Sequence, residues 1–397
     1  MENKIQKRSI ILKRNKKFFL RYKICIGKMV FVFFCMCPFF SPIDIFNTDT
    51  QPYPIIIATI FVVIYLIQKD GNLIIPYNPT VVLAFSIVAA LIIFCVGELN
   101  FSTLRGIVNY YSAFIITISW LLFLEKYEFP ECEIKVMIIL WFLVGLIQFC
   151  FDRTFLLEFI SGDRWSLEFR GCNGLASEPS FYGIISFFFL HLIPRFRRNR
   201  ILFFLLTYTM GVLFAQSAMG IIFLIVYSVG ILIDKLDTIK GILILVVTVI
   251  AISVAVAFFV KFGHGSRLYY LLELFLSDGS RGLQSDESVA ARLESITYSL
   301  QLAKAHVFLP QGFSERVGSL YGGILCELGV LGIPLIGVLT YGMAMLYKKK
   351  ESQLIYFCLI LLLFFSNSQL AHPTMWMVVA INYSMKNEEK DKEYDQA

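Results

Sequence analysis

Apolar residues fall in long blocks separated by short polar breaks, at roughly 24–40, 55–67, 80–97, 107–124, 136–151, 180–194, 201–216, 219–233, 241–260, 321–346, 353–365 and 375–385. A helix that crosses a bilayer needs about 20 mostly apolar residues, with about 17 as a practical lower limit. The blocks starting at 55 and 353 are short and the last is marginal, so the pattern predicts ten to twelve spanning helices. The longest polar interval, 261–320, lies between the ninth and tenth. Within it Ser266 to Leu276 reads as a short helix on the membrane surface, followed by the polar turn Ser277-Asp-Gly-Ser-Arg-Gly282. Val289, Leu293, Ile296, Leu300, Ala303 and Val307 then recur at helical spacing, with Asp286 and Glu287 in the first turn of that helix.

Composition fixes the class. Apolar residues are 57% of the 397 and charged residues 16%, with a mean hydropathy of +0.72. A soluble domain has about 45–50% apolar and about 25% charged residues, so an all-α polytopic membrane protein is expected. It divides into 1–260 (nine helices, with a loop at 152–179), the loop 261–320, the helices of 321–385 and the tail 386–397. The tail is short, of mixed charge and expected to be disordered. The stretch from Ile24 to Phe40 ends in Pro38 and bulky Phe, not in small residues, and reads as a retained first span. The nine cysteines lie mostly inside spans, so no disulfide framework is implied.

Charge orients the chain. With the amino terminus inside, the inner segments hold 24 Lys and Arg and the outer segments 10, with Lys28 inside the first span. Residues 1–23, Arg195-Phe-Arg-Arg-Asn-Arg200 and Lys348-Lys-Lys350 all face inward. That is the positive-inside pattern, and it places both termini in the cytoplasm. The basic amino terminus serves as a topology anchor, and no nucleic acid is expected as a partner. Nine of the ten outer basic residues sit in two loops, which directs the search for chemistry there.

The first loop ends in Arg170-Gly-Cys-Asn-Gly-Leu-Ala-Ser-Glu-Pro-Ser-Phe-Tyr-Gly183. Two glycines and an asparagine predict a tight turn, and Pro179 suits the first helical position with Ser177 or Glu178 at the cap. The helix amino terminus there offers free N–H groups to an anion, and Arg170, with Arg153 and Arg164, can add charge-assisted bonds to phosphate. Glu178 is either a helix cap or a base held beside an arginine-bound diphosphate. In the second loop, Arg292, Ser299 and His306 share one stripe. A straight helix separates Arg292 from His306 by about 21 Å, at ~1.5 Å per residue. Both therefore cannot hold one small group unless the helix breaks. Arg292 is the better phosphate candidate; His306, before Pro310-Gln-Gly312, is a surface histidine or a proton acceptor.

Glu327, near the outer end of a span, needs a partner, a loop arginine being one choice. His372-Pro373 reads as a structural turn. His191, His264, His306 and His372 are scattered, so no metal spacing is present, and no glycine-rich nucleotide loop occurs.

These residues carry a resemblance. Arg170-Gly171 followed by Glu178-Pro-Ser180, Gln216-Ser-Ala-Met-Gly220, Ala291-Arg292 leading into Pro310-Gln-Gly312, Glu327-Leu-Gly-Val-Leu-Gly332 and His372-Pro-Thr-Met-Trp376 stand in one order along most of the chain. In this the chain resembles bacterial O-antigen polymerases of the Wzy type, within the polymerase–ligase superfamily, although the spacing from Arg292 to Gly312 is longer than in some relatives. The resemblance implies a GT-C-like fold in the inner membrane and a glycosyltransferase acting on undecaprenyl-diphosphate-linked oligosaccharide at the periplasmic face. It assigns charge neutralisation to Arg170 and Arg292 and the base to Glu178, with His306 second. Arg153, Arg164, Ser180, Arg281 and Glu327 are further substrate contacts. No cofactor is implied; a chain-length regulator and a flippase are implied partners besides the lipid bilayer. The competing expectations are an O-antigen ligase and a lipid-linked oligosaccharide flippase. A flippase should carry charge in mid-span, where only Lys28 is basic here.

Overall fold

The computed structural model describes residues 26–43, 50–68, 77–97, 101–160, 171–235, 267–305, 309–313, 317–365 and 369–396. Among these residues the regular structure is helical, apart from one isolated bridge between Phe40 and Ile160. The helices are α1 (Ile26–Met36), α2 (Tyr53–Gln68), α3 (Tyr77–Val96), α4 (Phe101–Lys126), α5 (Glu131–Cys150), α6 (Pro179–Leu192), α7 (Arg200–Thr209) and α8 (Ala218–Lys235). There follow α9 (Arg267–Gln284), α10 (Glu287–Ala305), α11 (Leu320–Leu328), α12 (Ile333–Ala344), α13 (Lys350–Leu363) and α14 (Pro373–Gln396). Within the described residues α3, α4, α5, α8 and the α11–α12 pair are long and apolar enough to cross a membrane, while α1, α2 and α7 are shorter apolar helices. The protein is therefore an all-α protein of the membrane type. The expected span at 241–260 lies outside the described residues.

Three elements depart from the apolar pattern. The expected single span over 321–346 is broken at Gly329, whose φ of +58° ends α11 and opens a short 3-10 turn to Gly332. α7 runs into a π-helical turn over Met210–Phe214, where Ala215 N–H donates to the Met210 carbonyl, five residues back. α14 continues to Gln396, whereas a disordered tail was expected after 385. Nothing after Pro373 is Gly or Pro, and Glu388 stands four residues before Lys392, a spacing that supports a helix. The long polar interval also forms helices within its described residues. The polar turn appears as a break in α9 at Asp278 and Gly279, and Asp286 caps α10 by accepting from Val289 N–H at 3.0 Å. On the apolar face of α10, Leu293 and Leu300 stay exposed while Val289 and Ile296 are half-buried.

Burial sorts the helices. In α4 67% of the spanning window is buried, against 28% in α3, which makes α4 central and α3 peripheral. Ile56, Ile60, Val63, Ile64 and Ile67 form an exposed stripe on α2, as expected where hydrocarbon is the solvent. The centre is knitted around the end of α1. Trp141 Nε1 of α5 donates to the Met36 carbonyl at 3.0 Å, and Thr374 Oγ1 of α14 donates to the Cys35 carbonyl at 2.8 Å. Trp120 Nε1 of α4 lies 3.3 Å from Cys35 Sγ. Carbonyls at a helix end have no partner within the helix, and side chains from three other helices supply the polar contacts here.

α6 and α8 pack closely because glycine faces glycine. A Cβ placed on Gly183 would come within 2.5 Å of Gly220 Cα, and the reverse placement gives 2.7 Å to Gly183 Cα. Gly183→Ala and Gly220→Ala should each push the helices apart, at a cost of about 1–3 kcal/mol from overpacking. A lowered thermal midpoint of the purified protein in detergent is the expected result; an unchanged midpoint in both variants would show that the crossing tolerates a methyl group.

Candidate functional site

The segment before α6 is pinned on three sides. Cys172 N–H donates to the Phe214 carbonyl at 2.7 Å. A Cβ on Gly171 would lie 2.1 Å from the Ala215 carbonyl oxygen, so only glycine fits between this segment and the end of the π turn. Gln148 of α5 grips the next residues. Its Nε2 donates to the carbonyls of Phe155 at 2.8 Å and Gly174 at 2.9 Å, while its Oε1 accepts from Gly174 N–H at 2.7 Å. Gly174 has φ of +60°, which favours glycine, and its missing side chain leaves room for the Tyr182 ring. Asn173 closes the turn, its carbonyl accepting from Ala176 N–H and its Nδ2 donating to the Ser177 carbonyl.

The result is a rigid approach to the α6 amino terminus. Glu178 occupies the cap position with extended backbone, Pro179 is the first helical residue, and the Glu178 side chain makes no capping hydrogen bond. Glu178 and Ser180 are half-buried. Ser177 Oγ is fully buried and has no hydrogen-bond partner. Pro179 has no N–H, and the Phe181 and Tyr182 amides donate to the Glu178 carbonyl, so what this helix end offers an anionic group is the positive end of its dipole. Burial pushes the Cys172 thiol up to about 11, so it stays protonated and is no nucleophile at neutral pH. At the start of the loop, the Thr154 hydroxyl and amide both donate to Asp152, holding its carboxyl below the usual range. Arg153 is exposed. Arg164 and Arg170 lie outside the described residues.

Two quoted motifs thus meet. The stretch from Gly171 to Gly183 packs along 210–220, bringing Gln216-Ser-Ala-Met-Gly220 beside it through the Cys172–Phe214 bond and the Gly183–Gly220 crossing. Gln216 adopts a φ of +43°, turning the chain from the π segment into α8.

A second cluster forms at Glu327. Among the described residues its partner is a tyrosine: Tyr110 of α4 donates to Glu327 Oε2 at 2.6 Å. A neutral phenol beside a carboxylate in a span removes the need to bury a second charge. The Phe313 ring packs edge-on against Tyr110 and fills the space that a Cβ on Gly106 would need. Gln311 N–H donates to the Cys326 carbonyl at 2.9 Å, and Gln311 Nε2 donates to Leu302 of α10 at 3.3 Å. The Pro310-Gln-Gly312 motif therefore joins the loop helix to α11. Neither Tyr110 nor Gln148 carried a signal in sequence: Gln148 stands alone in an apolar run, and Tyr110 is one of four adjacent polar or phenolic residues, Asn109-Tyr-Tyr-Ser112, that nothing distinguishes.

Arg281 is exposed at the end of α9. Arg292 falls on α10, whose backbone alone is described at that position, and His306 lies outside the described residues. Glu178 and Glu327 share no hydrogen bond with each other among the described residues. His372, read as a structural turn, is fully buried between Phe39 and Phe188, and neither ring nitrogen is hydrogen-bonded.

Gln148→Leu should destabilise the protein strongly, because it leaves the Gly174 amide and two carbonyls buried without partners, at about 1–3 kcal/mol each. Proteolytic cleavage between 152 and 178 in membranes should rise with it; wild-type protease resistance in the variant would refute the clamp. Tyr110→Phe, which strands the Glu327 carboxyl inside a span, should lower the thermal midpoint more than Glu327→Leu, which strands only a neutral hydroxyl, and the reverse order would count against the pairing. Neither a family model nor a curated protein nor a solved structure matches this chain.

Proposed function

We propose that the chain is an O-antigen polymerase, a glycosyltransferase that joins repeat units carried on undecaprenyl diphosphate. On this reading ten to twelve helices cross the inner membrane in a GT-C-like arrangement, with both termini cytoplasmic and the loops 152–179 and 261–320 periplasmic. The observation that carries most weight is the uncapped α6 amino terminus, where Glu178 stands half-buried at the end of a segment locked by Gln148, Phe214 and Gly220.

The chemistry asks little more of the protein. The acceptor sugar's hydroxyl attacks the anomeric carbon of the growing chain, the bond from that carbon to the diphosphate oxygen breaks, and undecaprenyl diphosphate leaves with the electron pair. Glu178 takes the hydroxyl proton. Arg170, entering directly before Gly171, and Arg292 neutralise the charge that develops on the diphosphate. The positive end of the α6 dipole adds to the same task. His306 is the second choice of base, and Arg153, Arg164, Ser180, Arg281 and Glu327 hold the lipid-linked sugar. Substrate is delivered by a flippase, and a chain-length regulator acts on the product.

Deleting the gene and running a lipopolysaccharide gel separates the alternatives. A single-repeat band is the expected outcome; complete loss of repeat units from the core would overturn the polymerase reading in favour of a ligase or flippase. Arg170→Ala, Arg292→Ala and Glu178→Gln should each abolish the ladder at normal protein level. A full ladder from any of them removes that residue from the site.

A further inference from the structure

At the opposite end of the bundle, a cavity of about 550 Å³ lies where the end of α4, the start of α5, the turn after α6 and the middle of α14 meet. Arg195 and Arg197 line it, with Glu128, Glu131, Phe129 and Ile381. The turn carrying the arginines is held from beneath. Both oxygens of Glu131 accept from the Arg197 amide at 3.0 Å, and Lys135 donates to Glu131 at 2.6 Å and to the Arg198 carbonyl at 2.8 Å. Lys135 also lies over the rings of Phe196 and Phe203. Asn199, at φ +61°, closes the turn into α7. Arg195 is half-buried and donates to Asn382 Oδ1 at 3.2 Å, which fixes its charge on the cavity wall.

We propose that this cavity holds the phosphate headgroup of an anionic phospholipid between Arg195 and Arg197. The two acidic residues do not oppose this. Glu131 is already neutralised by Lys135 and used by the backbone, and Glu128 meets Arg197 at 3.7 Å with both side chains over 80% exposed. A surface ion pair of that length holds little energy, so Arg197 can turn to a phosphate. Arg198 and Arg200 add positive charge on the same turn, and Phe129 and Ile381 offer an apolar wall for the glycerol and first methylenes. Basic pockets between helices at a membrane surface have this makeup when they take anionic lipid headgroups. The site is independent of the glycosyltransferase reading, because it lies at the other end of α4 and α6 from Tyr110 and Glu178.

The test uses the full-length protein purified in a mild nonionic detergent, with phosphatidylglycerol, phosphatidylcholine or inorganic phosphate added. Phosphatidylglycerol should raise the thermal midpoint and appear as bound lipid in native mass spectra, and phosphatidylcholine should do neither. Arg197→Gln, an exposed position that leaves packing intact, should at least halve the shift, and Arg195→Gln with Arg197→Gln should abolish it. Lys348→Gln with Lys350→Gln, exposed basic residues elsewhere, should leave it unchanged. An equal shift in wild type and Arg197→Gln overturns the proposal. An equal shift from inorganic phosphate overturns the lipid assignment.

Discussion

The contact between Gly183 and Gly220 is the constraint on which the rest of this fold depends. Where two helices touch backbone to backbone, neither can rotate or slide without a clash, so α6 and α8 form one rigid unit. Everything attached to that unit inherits its position. The π turn sits at the head of α8, the segment from Gly171 to Ser177 sits at the head of α6, and the Cys172–Phe214 bond ties the two heads together. Side-chain volume is left out at Gly171, Gly183 and Gly220 to let backbone approach backbone, and at Gly174 to allow its positive φ and the Tyr182 ring.

Polar groups in the interior obey a complementary rule. With little water at hand, each buried donor or acceptor needs a partner inside the protein, and a short list of side chains meets that need at the helix ends. Gln148 answers three backbone groups at once, Trp141 and Thr374 answer the end of α1, and Asn382 links Arg195 to the Gly342 carbonyl. Among the described residues, Ser177 Oγ and both nitrogens of the His372 ring are among the exceptions. They lie near opposite turns of α6, and Phe39 packs against both Phe181 and His372, joining the two regions.

The apolar blocks revealed most helix positions to within a few residues, because a hydrocarbon environment imposes length and composition directly on sequence. Breaks inside a block do not show in hydropathy. The π turn at Met210–Phe214 has no local marker, whereas the break between α11 and α12 falls at Gly329 and Gly332 with Pro334 in the first turn of α12, residues that end and start helices. The turn at 171–174 and the cap at Glu178–Pro179 were legible from Gly, Asn and Pro, whose conformational preferences are local. Their supports were not. Gln148 stands 26 residues before Gly174, and Tyr110 stands 217 before Glu327; pairing over such distances is a property of the folded state alone.

The π turn has a consequence for how this chain tolerates changes of length. A π turn holds one residue more than the α-helical turn it replaces, so its removal would restore regular hydrogen bonding and make α7 locally better formed. The same deletion would rotate everything after it by about 100°, since each residue of an α-helix advances the turn by that angle at ~3.6 residues per turn. Phe214 would then aim its carbonyl away from Cys172, and Gly220 would no longer face Gly183. One surplus residue is thus kept as a phase adjuster between two helices that must meet on a particular side.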